Sequence, residues 1–225
     1  HFADCLDATR IREYFERNIE QNHGRFEPVT RVLLNIPKKG GALRYSLETC
    51  IYDRLAYHVF GIPIIECLDR FLPRRVLSHR LDVKWNKGNR RYLFLNAIDQ
   101  WMKFEEYVRC DASDHAILVT DLQNYFENIR IADLRDTLLR CLRTTDCSYS
   151  KKTSLRFCID SICRCLKAWS YNGVNGLPQN RDVSSFLANI YMLPIDKKMI
   201  DAGHDYYRYM DDIRVICSDR HEARA

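Results

Sequence analysis

Glycine and proline are scarce in this sequence, at 8 and 6 of 225 residues, which excludes a collagen-like chain and a Pro/Gly/Ser linker between separate modules. No uncharged apolar run reaches the ~18 residues of a membrane-spanning helix. HFADCLDATRIREYFERN carries charges where a secretion signal has its apolar stretch, so neither a span nor a signal is visible. The sequence opens on His1, with a helical pattern already running by Arg10, and reads as cut from something longer. Internal repeats and low-complexity tracts are missing. The ten cysteines form no CxxC pair and have no histidine at finger spacing, which argues against a zinc framework. Thiols without a framework suit a reducing compartment, so the expected location is the cytoplasm. In LRFCIDSICRCLKAW, Leu155, Cys158, Ile159, Ile162, Leu166 and Trp169 recur at helical spacing, which makes Cys158 a core filler.

What is present is a globular composition, 46% hydrophobic and 29% charged, in a chain long enough to bury a sizeable core. The net charge of +5 is unevenly placed: residues 1–110 hold 19 Lys and Arg against 14 Asp and Glu, and the remainder is balanced. Most of the basic excess gathers in RFLPRRVLSHRLDVKWNKGNRR (70–91), where Arg74, Arg75, Lys84, Lys87, Arg90 and Arg91 surround Trp85. Cations interleaved with an aromatic attract a phosphate backbone, although a solvated charged face has the same composition.

The hydrophobic pattern predicts a helix over 8–20, then a hairpin through VLLNIPKKGGALRYS with its turn at Gly40-Gly41. LETCIYDRLAYHVFG reads as a helix with Leu47, Ile51, Leu55 and Val59 on one face and Gly61 as its stop. Residues 93–108 read as helical, AILVT as a short strand ending at Asp121, and IADLRDTLLRCL as an amphipathic helix on Ile131, Leu134 and Leu138. Ser184 or Ser185 is a candidate cap for a helix running to near Gly203, and YYRYM and IRVIC are two strands joined at Asp211-Asp212. Helices and strands intermix throughout, as in an α+β or α/β domain.

Three segments carry chemistry. ILVTDLQNYFENI delivers Asp121 at a strand end, and YYRYMDDIRVIC places Asp211 and Asp212 at a hairpin tip. Paired aspartates at a turn are often only turn formers. Brought together in one sheet, however, carboxylates 90 residues apart in sequence repel one another until hard divalent cations neutralise them, and paired Mg²⁺ ions serve phosphoryl transfer. In GVNGLPQNRDVSSFLANIYMLPID, Gly176 and Pro178 bend the chain and Gln179 offers both a donor and an acceptor ahead of a helix, a cradle for a nucleotide or its paired base.

Together these residues resemble the reverse transcriptase (RNA-directed DNA polymerase) family. Tyr209-Met210-Asp211-Asp212 is similar to its YxDD signature, GLPQ with the following LANIY helix to the segment between its aspartate motifs, and DLQNYF to its first aspartate motif, all in the family's order. IPKKGGALRYS and YDRLAY resemble its fingers motifs, so the resemblance spans about residues 36–217. Asn180 stands where the commoner pattern has Gly, and the GLPQN form is similar to bacterial abortive-infection and related defence-associated members. Some of those perform protein-primed or untemplated DNA synthesis.

The resemblance implies an α+β fold with the fingers and palm of a right-hand polymerase: a palm sheet with the catalytic hairpin, helices packed on it, and a thumb not covered. Residues 1–110 are then a fingers-like region with the basic stretch, and 111–225 the palm. It further implies that Asp121 and Asp211 ligate two Mg²⁺ ions (or Mn²⁺), with Asp212 a supporting acid. By the same resemblance Phe126 is the bulky residue against a ribose 2′-hydroxyl, Gln179 lies beside the nucleotide, and Arg44 with Lys38 or Lys39 neutralises the triphosphate. The bland reading of Phe126 is a buried core aromatic, which a steric gate would partly be too, and that of the lysines is a solvated hairpin tip. Arg74, Arg75, Lys84, Arg90 and Arg91 are candidate nucleic-acid contacts on charge alone. The expected partners are deoxynucleoside triphosphates and an RNA or DNA template and primer, or a protein-linked primer, with a second copy or an associated RNA left open. Three alternatives stand beside this: a retron or intron-type templated enzyme, a nucleotide cyclase or other nucleotidyl transferase on a palm-like fold, and a nucleic-acid-binding module with reduced catalysis.

Overall fold

The structure, a computed structural model, describes residues 7–29, 31–37, 43–85, 92–110, 115–179 and 182–224. Helix α1 (Ala8–Gln21) begins where the Asp7 carboxylate accepts from the Thr9 amide at 3.0 Å, satisfying one of the orphan donors of a helix start. Its end is left-handed at His23 and Gly24, and the Gly24 amide donates back to the Ile19 carbonyl at 2.8 Å. Strands β1 (Val32–Pro37) and β2 (Leu43–Glu48) then pair antiparallel, from Val32 opposite Glu48 to Pro37 opposite Leu43. The expected hairpin is therefore present, while Lys38, Lys39 and the Gly40-Gly41 turn lie outside the described residues.

Helix α2 (Ile51–Leu68) corrects the sequence reading twice. Leu47 belongs to β2, and the helix runs through Gly61 and Pro63 without stopping. The apolar face is also different: Val59 is exposed, whereas Ala56, Tyr57, Phe60, Gly61, Ile64 and Ile65 are buried. Gly61 has a packing reason. A Cβ there would lie 2.6 Å from both methyls of Val183, so glycine permits a close helix approach rather than ending the helix.

Helix α3 (Ala97–Cys110) starts later than residue 93, where Asn96 Oδ1 accepts from the Ile98 and Asp99 amides at 2.9 and 3.2 Å. Strand β3 (Ala116–Asp121) leads into the single turn α4 (Tyr125–Asn128), followed by α5 (Ile131–Arg143) and α6 (Tyr149–Trp169). In α5, Ile131, Leu134 and Leu138 are buried as the spacing predicts, and in α6 Cys158 is half-buried against the core.

Helix α7 (Asp182–Asp201) holds Ser184 and Ser185 inside its body, not at its cap. Every residue from 183 to 190 is buried, so the helix lacks the polar face that periodicity detects, and the Ser184 hydroxyl lies 3.0 Å from the Tyr57 hydroxyl. Gly203, at φ +83°, closes its C-terminus near the expected place. Strands β4 (Asp205–Tyr209) and β5 (Asp212–Cys217) form a hairpin, and β3 pairs antiparallel with the other side of β5, giving the order β3-β5-β4. One hydrophobic core, built from α2, α5, α6, α7 and the sheet, runs from Phe26 to Cys217. This is an α+β architecture, with helices packed on a small antiparallel sheet.

Candidate active site

The acids meet through strand register. Asp121, the last residue of β3, is directly opposite Asp212, the first of β5, and the Leu122 amide donates to the Asp211 carbonyl at 3.3 Å. Directly opposed side chains in an antiparallel pair have Cβ atoms ~5 Å apart, so these carboxylates share one end of the sheet. Tyr209 pairs with Asp212 across a two-residue turn made of Met210 and Asp211. Asp212 thus belongs to the strand, and Asp211 alone of the pair occupies the tip.

Met210 has φ +60°, a conformation that favours glycine at the first central position of a tight hairpin. A buried network holds it there. Its amide donates to the Ser78 hydroxyl at 3.0 Å, and its carbonyl accepts from Arg208 Nη1 at 2.8 Å. Arg208 Nη1 also reaches Asn189 Oδ1 at 2.8 Å, while Asn189 Nδ2 donates to the Ser78 carbonyl at 2.7 Å. The charge of Arg208 is met by Asp196: Nε to Oδ1 at 2.8 Å and Nη2 to Oδ2 at 2.7 Å, with both side chains fully buried, and the Tyr206 hydroxyl donates to the same Asp196 Oδ1. None of Ser78, Asn189, Asp196 or Arg208 was marked by sequence reasoning. The one available signal was an arginine inside an otherwise aromatic strand, YYRYM.

The second motif segment is laced to the first. Gly176, at φ +109°, donates its amide to the Ile129 carbonyl at 2.9 Å, the Leu177 amide donates to the Phe126 carbonyl at 2.9 Å, and the Ile131 amide to the Val174 carbonyl at 3.0 Å. These bonds set Gln179 beside the turn that follows Asp121, where its Nε2 donates to Glu127 Oε1 at 3.3 Å. The turn itself needs the left-handed Asn124 (φ 50°), a conformation asparagine tolerates.

A cleft of about 560 Å³ lies between these pieces, lined by Asp121, Asp211, Phe126 and Gln179 together with His79, Asn124, Glu127, Asp182, Ser185 and Tyr209. Four of the sequence-predicted residues therefore share one cavity, and Asp212 abuts it through its register with Asp121. His79, Glu127 and Asp182 are additions that no motif announced. Burial lowers the His79 imidazole pKa, opposed by the nearby Asp182 charge.

The basic and fingers candidates are more scattered. Arg44 has its backbone in β2 opposite Ile36, and its side chain lies outside the described part, as do Lys38, Lys39, Arg90 and Arg91 entirely. Arg75 pairs with Asp205 at 2.6 Å and stacks 5.1 Å over the Tyr207 ring. Arg74 and Lys84 are exposed. Arg80, in the same basic run, is structural: it pairs with Asp69 at 3.0 Å and donates to the carbonyls of Pro73 and Val76.

The electrostatics of the acid cluster are unfavourable as it stands. Burial first, then the charges of Asp211 and Asp121, pushes the Asp212 carboxyl above its usual range, and Arg214 opposes them. Arg214 is itself engaged by Glu105 at 2.7 Å and lies 4.6 Å from the Phe104 ring centre. Among the described residues, no group of three or more His, Cys, Asp or Glu side chains is arranged to hold a metal ion by itself. Mg²⁺ normally takes one or two carboxylates and completes its shell with water and substrate phosphates. The hard, mutually repelling oxygen donors beside an open cleft fit an ion that arrives with a nucleotide.

A helix-backed antiparallel sheet with carboxylates at one end and a cleft beside them matches the architecture of a polymerase palm, and a function is argued from such a site only together with the family it belongs to. The chain belongs to the reverse transcriptase (RNA-dependent DNA polymerase) family, whose model matches residues 36–225. No curated protein matches it at a significant level. As a family member it is a nucleotidyltransferase whose ligands are nucleotides and a template and primer.

Proposed function

We propose that residues 1–110 and 111–225 are the fingers-like and palm parts of a polymerase that adds deoxynucleotides at Asp121, Asp211 and Asp212, acting in bacterial anti-phage defence of the abortive-infection kind in the cytoplasm. The observation that carries the chemistry is the single cleft lined by Asp121, Asp211, Phe126 and Gln179. A primer hydroxyl, from a nucleic acid or from a protein side chain, attacks the α-phosphorus of a deoxynucleoside triphosphate, and pyrophosphate leaves. A pair of Mg²⁺ ions, or Mn²⁺, supplies when bound the positive charge that activates the attacking oxygen and stabilises the leaving one. Asp121 and Asp211 hold that charge and Asp212 supports them. Phe126 stands against a ribose 2′-hydroxyl, and Gln179, fixed by Glu127, orients the nucleotide. Lys38, Lys39 and Arg44 neutralise the triphosphate. Arg74, Arg75, Lys84, Arg90 and Arg91 contact the nucleic-acid backbone. Positioning and charge stabilisation are the main protein contributions in phosphoryl transfer.

The GLPQN segment supports the defence-associated reading, and with it protein-primed or untemplated synthesis. The test incubates the full-length protein with labelled deoxynucleotides and Mg²⁺, with and without template, and resolves the products under denaturing conditions. Label that stays on the protein without added template supports that reading. Incorporation only on a supplied template and primer returns the enzyme to the templated alternative, and incorporation undiminished in Asp211→Asn contradicts the site.

A further inference from the structure

Two cysteines that do not line the cleft meet in the helical part of the protein. Cys67 is buried in the last turn of α2, and Cys147 is half-buried in the connection between α5 and α6; their sulfurs are 3.7 Å apart although 80 residues separate them in sequence. The two thiols are not equivalent. Cys147 immediately precedes Ser148, which caps the 21-residue helix α6 by accepting from the Lys151 amide. The adjacent Thr145 hydroxyl, the Cys67 thiol and the charges of Lys151 and Arg70 hold the Cys147 thiol below its usual range. Cys67 is the opposite case: burial, then its neighbour Cys147, pushes it up to about 11. One partly exposed, acidified thiol against one buried, protonated thiol is the division of labour between an oxidant-reactive cysteine and the partner that resolves it.

We propose that Cys67 and Cys147 form a reversible oxidation site that closes to a disulfide on exposure to hydrogen peroxide. The Cys147 thiolate attacks one peroxide oxygen; the S–O bond forms, the O–O bond breaks, and the departing hydroxide takes up the thiol proton as water, leaving a sulfenic acid. The Cys67 sulfur then attacks the Cys147 sulfur; the S–S bond forms, the S–O bond breaks, and hydroxide leaves with the Cys67 proton as a second water. Two thiols lose two electrons in total and one peroxide gains them. A dithiol reductant reverses the reaction by exchange. The bond joins the C-terminal end of α2 to the start of α6, two helices that pack on each other, and closes a long loop of the unfolded chain. Transient redox bonds of this kind are the ones compatible with a reducing compartment.

The experiment treats the full chain with hydrogen peroxide at increasing ratio, blocks the remaining thiols, and maps peptides by mass spectrometry with and without dithiothreitol. The expected result is a Cys67–Cys147 cross-linked peptide, 2 mass units lighter than the two thiol peptides combined, that appears before other cysteines are modified and vanishes on reduction. Cys67→Ser should leave Cys147 trapped as a sulfenic acid that reacts with dimedone. Cys147→Ser, changed at the more accessible position, should yield no cross-link and should lose the rise in melting temperature that oxidation gives the parent. Preferential oxidation of another cysteine, irreversible oxidation of Cys147 without a cross-link, or a cross-link to a different partner would each overturn the proposal.

Discussion

Asp196 and the group Asp121, Asp211 and Asp212 are connected through one hairpin, β4–β5, yet their charges are handled in opposite ways. Asp196 is fully buried and satisfied: two Arg208 nitrogens and the Tyr206 hydroxyl meet its oxygens at 2.7 to 2.8 Å. The other three gather at a sheet end where the groups acting most strongly on Asp212, after burial, are the other two acids. A buried carboxylate with a bidentate arginine fixes geometry, whereas a clustered set short of cations lowers stability until something positive arrives. The paired acid builds the frame and the crowded acids are held on it: Arg208 reaches from Asp196 to the Met210 carbonyl, one residue before Asp211.

The largest expected effect comes from breaking the satisfied pair. Asp196→Asn leaves a buried guanidinium short of its counter-charge and should cost ~3–5 kcal/mol of unfolding free energy in urea titration. A loss under about 1 kcal/mol would show that Arg208 relaxes to solvent and that the frame is softer than its hydrogen bonds suggest. Asp121→Asn and Asp211→Asn should do the reverse, lowering deoxynucleotide addition on the order of 10²–10³-fold while leaving the melting temperature unchanged or higher. Either variant unfolding as readily as Asp196→Asn would erase the distinction between the two sets of acids.

Phe126→Ala should reduce discrimination against ribonucleotides by ~10–100-fold, read as the ratio of kcat/KM for the two sugars. Equal loss on both sugars would make Phe126 a core residue only, a role its half-buried packing also allows. The smallest effect concerns pH. Asp212 has a raised folded-state pKa, so the stability it permits is complete below the ordinary carboxylate range and is lost as pH rises through its raised value. Asp212→Asn should therefore gain a few tenths of a kcal/mol over the parent near pH 7, given the solvent screening of this partly exposed group, and the gain should vanish in acid.

Much of the site was legible before the structure because its residues carry local signals: an apolar strand ending in Asp121, an acid pair between two β runs, Gly and Pro ahead of Gln179. Strand register then does what spacing cannot, placing Asp121 opposite Asp212 and leaving Asp211 alone on the turn. The helices were read less well for a physical reason. Residues 183–190 of α7 are buried all round and give no amphipathic period, so Ser184 and Ser185 looked like caps. Gly61 looked like a stop because close approach to Val183, 122 residues away in the sequence, leaves no local trace. The network of Ser78, Asn189, Asp196 and Arg208 was hidden because polar residues are ordinarily read as surface, and only tertiary structure shows them satisfying one another in the core.

Thermal unfolding as a function of Mg²⁺ concentration, in the presence of a non-hydrolysable deoxynucleoside triphosphate, tests the contrast between the two kinds of aspartate most directly. A site of crowded carboxylates predicts that the parent's melting temperature rises as metal and nucleotide fill the cleft, and that Asp121→Asn and Asp211→Asn lose most of that rise. A rise of equal size in Asp211→Asn, or a parent indifferent to metal with nucleotide, would contradict the assignment of this cluster as the metal and triphosphate site.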